Sequence, residues 1–283
     1  MLGVVPCYAH RNMGDTTMAT DPQFVAALSH GLDILRCFTP DKPVLANSEL
    51  ANMTGMPRSS VSRLTHTLVK VGYLDYDTEA RAYRLGLSVL SLQPAALAGT
   101  RIVEDIAPYM AELANRLGAR VLLTVYENYG LTVVQGACTN PDIPAPSFVG
   151  CRYAIPRRAM GRACIASSSG NEQEKILSHL AQGDMNRFAA LHAELDRAVD
   201  SYRSRGYCTS LGEGRPGNHS ISVMLNLPHL GRRLFLSCGG PAQRLPERFL
   251  YDRVAPQLMR SADEIERHSA RRAAPRRSAS VAS

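Results

Sequence analysis

The sequence predicts an α+β protein of two domains, an N-terminal winged helix-turn-helix followed by a larger domain in which helices cover a central sheet. Three observations predict it. The stretch Pro57 to Gly72 has helical periodicity with one apolar and one polar face, a shorter helix with its own terminator precedes it, and from Thr100 onward strands alternate with helices.

At about 100° per residue, Val61, Leu64, Leu68 and Val71 gather on one side of the first of these helices. Arg58, Ser59, Ser62, Arg63, His66 and Lys70 gather on the other. Pro57 suits a first helical turn, where its missing N–H has no partner anyway, and Gly72 suits a left-handed stop. Asn47 to Gly55 reads as the shorter helix, with Asn47 as N-cap, Glu49 in the first turn and Gly55 as terminator. Two helices meeting across a tight turn at Gly55-Met56 make a helix-turn-helix, whose second helix enters the major groove of double-stranded DNA. The competing reading is an amphipathic helix with a solvated face. Hydroxyls and arginines in place of a Glu/Lys mixture favour DNA.

The remaining elements follow in order. Residues 1–20 show no periodicity and are expected to be a disordered leader, with Met13 and Met18 as alternative starts. A support helix begins at Asp21-Pro22, places Phe24, Leu28, Leu32, Leu35 and Phe38 at three- and four-residue steps, and ends before Thr39-Pro40. After Gly72, Tyr73 to Tyr76 and Arg81 to Leu85 read as strands joined by the turn Asp77 to Ala80, a wing that completes a DNA-binding domain over 21–85. Arg81 and Arg84 stand near phosphates or a minor groove, or idle on the hairpin surface. Residues 86–99 form an apolar linker with Leu87, Leu90 and Leu97, which is expected to pair with a second subunit. Pro94 is expected to kink or break it as a hinge.

The second domain covers 100–268. A helix over Ile102 to Leu117 stops at Gly118, and strands Arg120 to Tyr126 and Leu131 to Cys138 join through Glu127 to Gly130. A loop with Pro141, Pro144 and Pro146 and a short strand near Phe148 to Tyr153 precede a helix at Arg158 to Ala166. Helices at Glu172 to Ala181 and Phe188 to Arg205, strands Ser220 to Leu227 and Arg232 to Cys238, and a helix from Glu247 to about His268 complete it. Residues 269–283 are an Arg/Ala/Ser tail, expected to be disordered.

Composition narrows the function. The 283 residues, 45% of them hydrophobic, supply a core for each domain. A net charge of +7 permits a polyanion partner, but four arginines in the last fifteen residues leave only +3 for the rest, so specific binding rests on a few placed groups. Seven widely spaced cysteines without a CxxC pair indicate neither a disulfide framework nor a metal site, and buried thiols in a reducing cytoplasm are the default. No signal peptide and no run of 18 apolar residues is present, so a cytoplasmic protein without membrane contact is expected.

Three stretches together resemble the IclR family of bacterial transcription regulators over roughly residues 22–268. They are Ala27 to Leu35 with Glu49-Leu-Ala and Thr54 to Leu64; Ala159-Met-Gly-Arg-Ala163 with Ile165-Ala166; and Arg205-Gly-Tyr207 with Gly212-Glu213, Pro216-Gly217 and Ile221. The resemblance implies a winged helix joined by a linker helix to a GAF-like effector domain, working as a homodimer or homotetramer on a palindromic operator and sensing a small organic acid. It places DNA contacts at Arg58, Ser60 and Arg63. It places effector contacts at Ala159, Met160 and Gly161, where free backbone N–H groups at a helix start hold a carboxylate, and at Ser210, Ser220 and Ser237. The family pattern often has Asp or Cys at the first two of these serine positions and a second serine where this chain has Gly239. The surroundings of Met160 are similar to members that regulate aromatic-acid and β-ketoadipate catabolism. Arg152, Arg157 and Arg158 favour an anionic ligand if they face inward, or else coat a surface or interface.

An enzyme is not expected. GxSxG, HExxH and a P-loop are absent, the eight histidines have no partner pattern, and no cofactor is called for. Two alternatives stand beside the regulator: a thiol redox sensor, with Cys151 beside Arg152 as its best candidate among Cys138, Cys151 and Cys164, and an interaction module without specific DNA binding.

Overall fold

The computed structural model describes residues 22–39, 42–98, 101–138, 149–153, 155–181 and 185–273; the expected leader, the Pro-rich loop and the end of the basic tail lie outside them. The chain divides into two compact units between residues 99 and 100.

The first unit holds α1 (Ala26–Arg36), β1 (Leu45–Ala46), α2 (Asn47–Thr54), α3 (Arg58–Lys70), β2 (Leu74–Asp77) and β3 (Ala82–Leu85). β2 and β3 form the antiparallel wing, and β1, too short to show alternation in the sequence, adds to the free side of β3. α2 starts at Asn47 itself, one residue earlier than an Asn47 cap implies. Ala46 is the N-cap and donates its N–H to the Glu49 carboxylate at 2.8 Å, half of a capping box. Pro57 is likewise the N-cap of α3 and not its first helical residue. Gly72, at φ 78°, donates to the Val69 carbonyl at 3.0 Å while Tyr73 donates to that of Leu68 at 2.9 Å. These are the two bonds of a Schellman stop, which needs a left-handed residue between them.

The core of this unit is Ile34, Phe38, Leu45, Leu50, Val61 and Leu74, with Leu35, Leu64 and Leu68 packed against it. Two sequence expectations change. The support helix enters this core only from Ile34 onward, so Phe24, Leu28 and Leu32 stay 38%, 64% and 45% exposed. Val71, at the C-cap of α3, lies past the last packed turn and is exposed. Beyond the wing a 3₁₀ turn (Leu87–Ser91) runs into α4 (Leu92–Ala98). Pro94 occupies the first turn of α4, where a missing N–H is harmless, so the break falls ahead of it at the 3₁₀-to-α boundary.

The second unit holds α5 (Arg101–Leu117), β4 (Arg120–Glu127), β5 (Gly130–Ala137), β6 (Arg152–Tyr153), α6 (Ala159–Ala166), α7 (Gly170–Ala181), α8 (Met185–Arg205), β7 (Cys208–Leu211), β8 (Asn218–Leu225), β9 (Leu234–Pro241), α9 (Glu247–Phe249) and α10 (Ala255–Ala273). The six strands form one antiparallel sheet in the order β6-β5-β4-β9-β8-β7. Asn128 and Tyr129, at φ 45° and 56°, supply the two positive angles of a type I′ hairpin turn between β4 and β5.

One face of the sheet carries Val121, Leu123, Val125, Ile221, Val223, Leu234, Leu236 and Cys238 and buries them under α5 and α10. On the other face α6 lies across β7, β8 and β9 with α8 behind it. The single helix expected from Glu247 is interrupted by a π turn at Leu250–Val254, directly ahead of Ala255-Pro256; proline cannot supply the next helical N–H, and the wider turn absorbs the loss.

Candidate functional site

Two surfaces concentrate polar chemistry. The first is the outer side of α3. Arg58, Ser59, Ser62, Arg63, His66 and Lys70 are all exposed and no acidic residue interrupts the helix, while Val61 and Thr65 are buried behind them. Ser60 is half-buried at the boundary between the faces. Arg81 stands at φ 49° in the wing turn, exposed, with Arg84 exposed on β3. A positive, hydroxyl-bearing face next to a two-arginine wing is what a helix needs to bond phosphates and base edges in a major groove.

Asn47, which the sequence suggests only as a cap, reaches across the turn and donates Nδ2 to Ser62 Oγ at 3.0 Å. Nothing in the local pattern signals a contact between residues 15 apart.

The second surface is a recess on the α6 side of the sheet. Strand register builds its floor. Ser210 pairs with Ser220, Ser220 with Gly239 and Gly239 with Arg120, one row across β7, β8, β9 and β4. The next row places Ser222 beside Ser237 and Ser237 beside Leu122. Tyr153, Arg158, Met160, Gly214 and Arg215 form the walls.

Of the six expected effector residues, Met160, Ser210, Ser220 and Ser237 line this cavity, and Ala159 and Gly161 do not. Gly161 has another task. A Cβ there would lie 1.5 Å from the Ile155 carbonyl oxygen, so the glycine lets α6 pack against that segment. Two of the serines are already engaged: Ser210 Oγ donates to the Arg157 carbonyl at 2.9 Å and accepts from Gly214 N–H at 3.2 Å, and Ser237 Oγ donates to Ser222 Oγ at 2.9 Å. Of the three arginines singled out in the sequence only Arg158 faces in. Arg157 is exposed, and Arg152 donates to the carbonyls of Glu127 and Asn128 at the β4–β5 turn.

Arg120, Arg215, Tyr153, Asn218 and His219 also line the recess. The sequence holds one faint sign of the first, a charged residue opening the apolar run Val121 to Val125. Burial pushes the Arg120 and Arg158 guanidiniums below their ordinary value, and each also feels the positive charge of Arg215. Arg158 lies over the Tyr153 ring, 4.4 Å from its centre. Among the described residues no carboxylate lines the cavity. Three cations drawn together in a part-desolvated recess favour an anion.

A clamp holds the wall. Arg162 Nη1 donates to Glu213 Oε1 at 3.0 Å and to the Thr209 carbonyl at 2.8 Å, and the Leu211 N–H donates to the other Glu213 oxygen. This fixes the loop that carries Gly214 and Arg215. The thiols offer a contrast: burial pushes Cys164, Cys208 and Cys238 up to about 12, the reverse of what a reactive sensor cysteine needs. Among the described residues no group of three potential ligands is placed to hold a metal ion, and no helix is long and apolar enough to cross a membrane.

The family description "IclR helix-turn-helix domain" matches residues 27–78, and "Bacterial transcriptional regulator IclR C-terminal" matches residues 94–267. The Pca regulon regulatory protein of Pseudomonas putida is 27% identical over 208 residues, covering 72% of this chain and 70% of the relative. An IclR family transcriptional regulator from Brucella abortus superposes with a TM-score of 0.81 at 32% identity, covering 90% of this chain and 96% of that one. An IclR homolog from Microbacterium hydrocarbonoxydans, solved as a complex with 4-hydroxybenzoate, has the same fold at a TM-score of 0.62 and 21% identity, covering 87% of this chain and 99% of that one.

Proposed function

Because the chain belongs to the IclR family of bacterial transcriptional regulators, we propose that it binds a palindromic operator as a homo-oligomer through α3 and the wing, and senses a small organic acid in the cavity over the sheet. The observation that carries the effector half is the convergence of Arg120, Arg158 and Arg215 on one recess with no acid among its described lining residues. A carboxylate bound there sits between guanidiniums, with Ser220 at the floor and Leu122, Met160 and Tyr153 as apolar walls suited to a ring or short chain. Aromatic acids are the first class to try, since a structural neighbour holds 4-hydroxybenzoate.

In the DNA-binding half, Arg58, Ser59, Ser60, Ser62, Arg63 and His66 meet the major groove, and Arg81 meets the backbone beside it. Arginines supply salt-dependent affinity and base-edge contacts supply the choice of sequence. The exposed apolar residues Phe24, Val25, Leu28, Leu32, Leu87 and Leu90 support contact with a second copy of the chain. The protein is a regulator and not an enzyme, and acts in the cytoplasm, where its DNA lies.

The test is binding of the purified chain to the DNA flanking its own gene, measured by fluorescence anisotropy with and without a panel of aliphatic and aromatic acids. The expected result is a sequence-preferring complex whose affinity one acid class changes. In that assay Arg63→Ala abolishes sequence preference, and Arg215→Gln removes the response to acid while leaving acid-free DNA affinity intact. A response to acid that survives Arg215→Gln moves the effector away from this cavity.

A further inference from the structure

We propose that Asn47 is a specificity-determining residue of the DNA interface, acting by fixing the hydrogen-bond polarity of Ser62. The inference rests on the reading of α3 as the recognition helix. Asn47 is the first residue of α2 and Ser62 the fifth of α3, and the amide donates Nδ2 to Ser62 Oγ at 3.0 Å across the helix-turn-helix.

The two threonines inside α3 show what Ser62 is not doing. Thr65 donates to the Val61 carbonyl at 2.9 Å and Thr67 to the Arg63 carbonyl at 3.1 Å, the usual bond from a helical hydroxyl to the preceding turn. Ser62 takes part as an acceptor from Asn47. A hydroxyl has one proton and two lone pairs. With a lone pair held by the amide, the proton is turned away from Nδ2, and accepting a bond also strengthens the hydroxyl as a donor. Ser62 is exposed on the face that carries Arg58 and Arg63, and α3 has no acidic side chain to take that proton.

Ser62 therefore offers the groove a donor. It suits guanine, with its N7 and O6 acceptors, or thymine, with its O4 acceptor, and disfavours cytosine, whose major-groove edge presents an amino group. Asn47→Asp reverses this polarity: the carboxylate takes the Ser62 proton and leaves a lone pair facing the groove. Asn47→Ala releases the hydroxyl to bond the preceding turn, and the preference at that base pair is lost.

The experiment is selection of duplexes from a random pool by the full-length wild-type, Asn47→Ala, Asn47→Asp and Ser62→Ala chains, followed by affinities for the selected site and its single-base variants. The expected wild-type profile has one position per half-site where guanine or thymine is preferred to cytosine by about fivefold, the size of a single net hydrogen bond. Asn47→Ala and Ser62→Ala flatten that position alone, and Asn47→Asp shifts it toward cytosine. If Asn47→Ala and Asn47→Asp keep the wild-type profile at every position, Asn47 only braces the two helices and the proposal fails, whatever the change in total affinity. A wild-type chain that enriches no sequence overturns the DNA-binding reading as well, so the two failures are distinct.

Discussion

Gly161 and the buried cysteines make opposite use of the same crowded interior. At Gly161 the Ile155 carbonyl leaves no room for a Cβ, and a backbone atom is the obstacle, so the clash cannot be relieved by rotating a side chain. Gly161→Ala is expected to destabilise the C-terminal unit by about 1–3 kcal/mol, the range of overpacking in a tight core. Urea unfolding checks this, and an unchanged midpoint would contradict the packing role. The thiols of Cys164, Cys208 and Cys238 are held protonated by burial, at values near 12 against 9.0 for a free thiol. Between those values the unfolded chain loses these protons while the folded chain keeps them, so the stability that protonation provides is complete below about pH 9 and declines as pH rises toward 12. Alkylation of the native protein at pH 8 should spare these three and label them only after denaturation. Labelling of any of the three in the native state would contradict their burial.

At the scale of elements, the loop between β7 and β8 is held by Glu213, whose two oxygens engage Arg162 on α6 and the Leu211 N–H. Burial pushes this carboxyl up, but its bonds to its own N–H and to Arg162 outweigh that, and the net shift is downward. A lowered value means that the clamp contributes at neutral pH and is lost as pH falls through the carboxylate range. Glu213→Gln should raise hydrogen exchange in the segment 212–217 and weaken acid binding several-fold, while DNA affinity without acid stays as it was. Unaltered exchange would show that the loop is held by Ser210 instead. The helices, the wing and the β4–β5 hairpin were legible in the sequence because each is declared locally, by periodicity and by Gly55, Gly72 or the Asn128-Tyr129 turn. β1 and β7 were not, since two and four residues are too few to alternate visibly. The cavity was half legible for a related reason. Met160, Ser210, Ser220 and Ser237 came from family resemblance, but Arg120 and Arg215 belong to segments 95 residues apart that only the register of β4 with β9 and β9 with β8 brings together.

In the whole molecule, regulation requires that the acid distinguish between DNA-bound and DNA-free states. A ligand with equal affinity for both shifts nothing, however tightly it binds. In the proposed reading, α3 with its wing belongs to the first compact unit and the cavity above the sheet to the second. Thermodynamics sets a condition that holds whatever the route of coupling. If an acid changes the dissociation constant of the operator by some factor, saturating operator must change the dissociation constant of the acid by that same factor. Calorimetric titration of the acid into the free chain and into the chain with excess operator duplex measures one factor, and anisotropy titration of the duplex with and without acid measures the other. They are expected to agree, at about 5- to 150-fold, and Arg215→Gln should raise the dissociation constant of the acid in both states, so that at a fixed acid concentration the operator affinity no longer responds. Equal acid affinities with and without operator, beside an operator affinity that does respond to acid, would place the responding site somewhere other than the arginine-lined cavity.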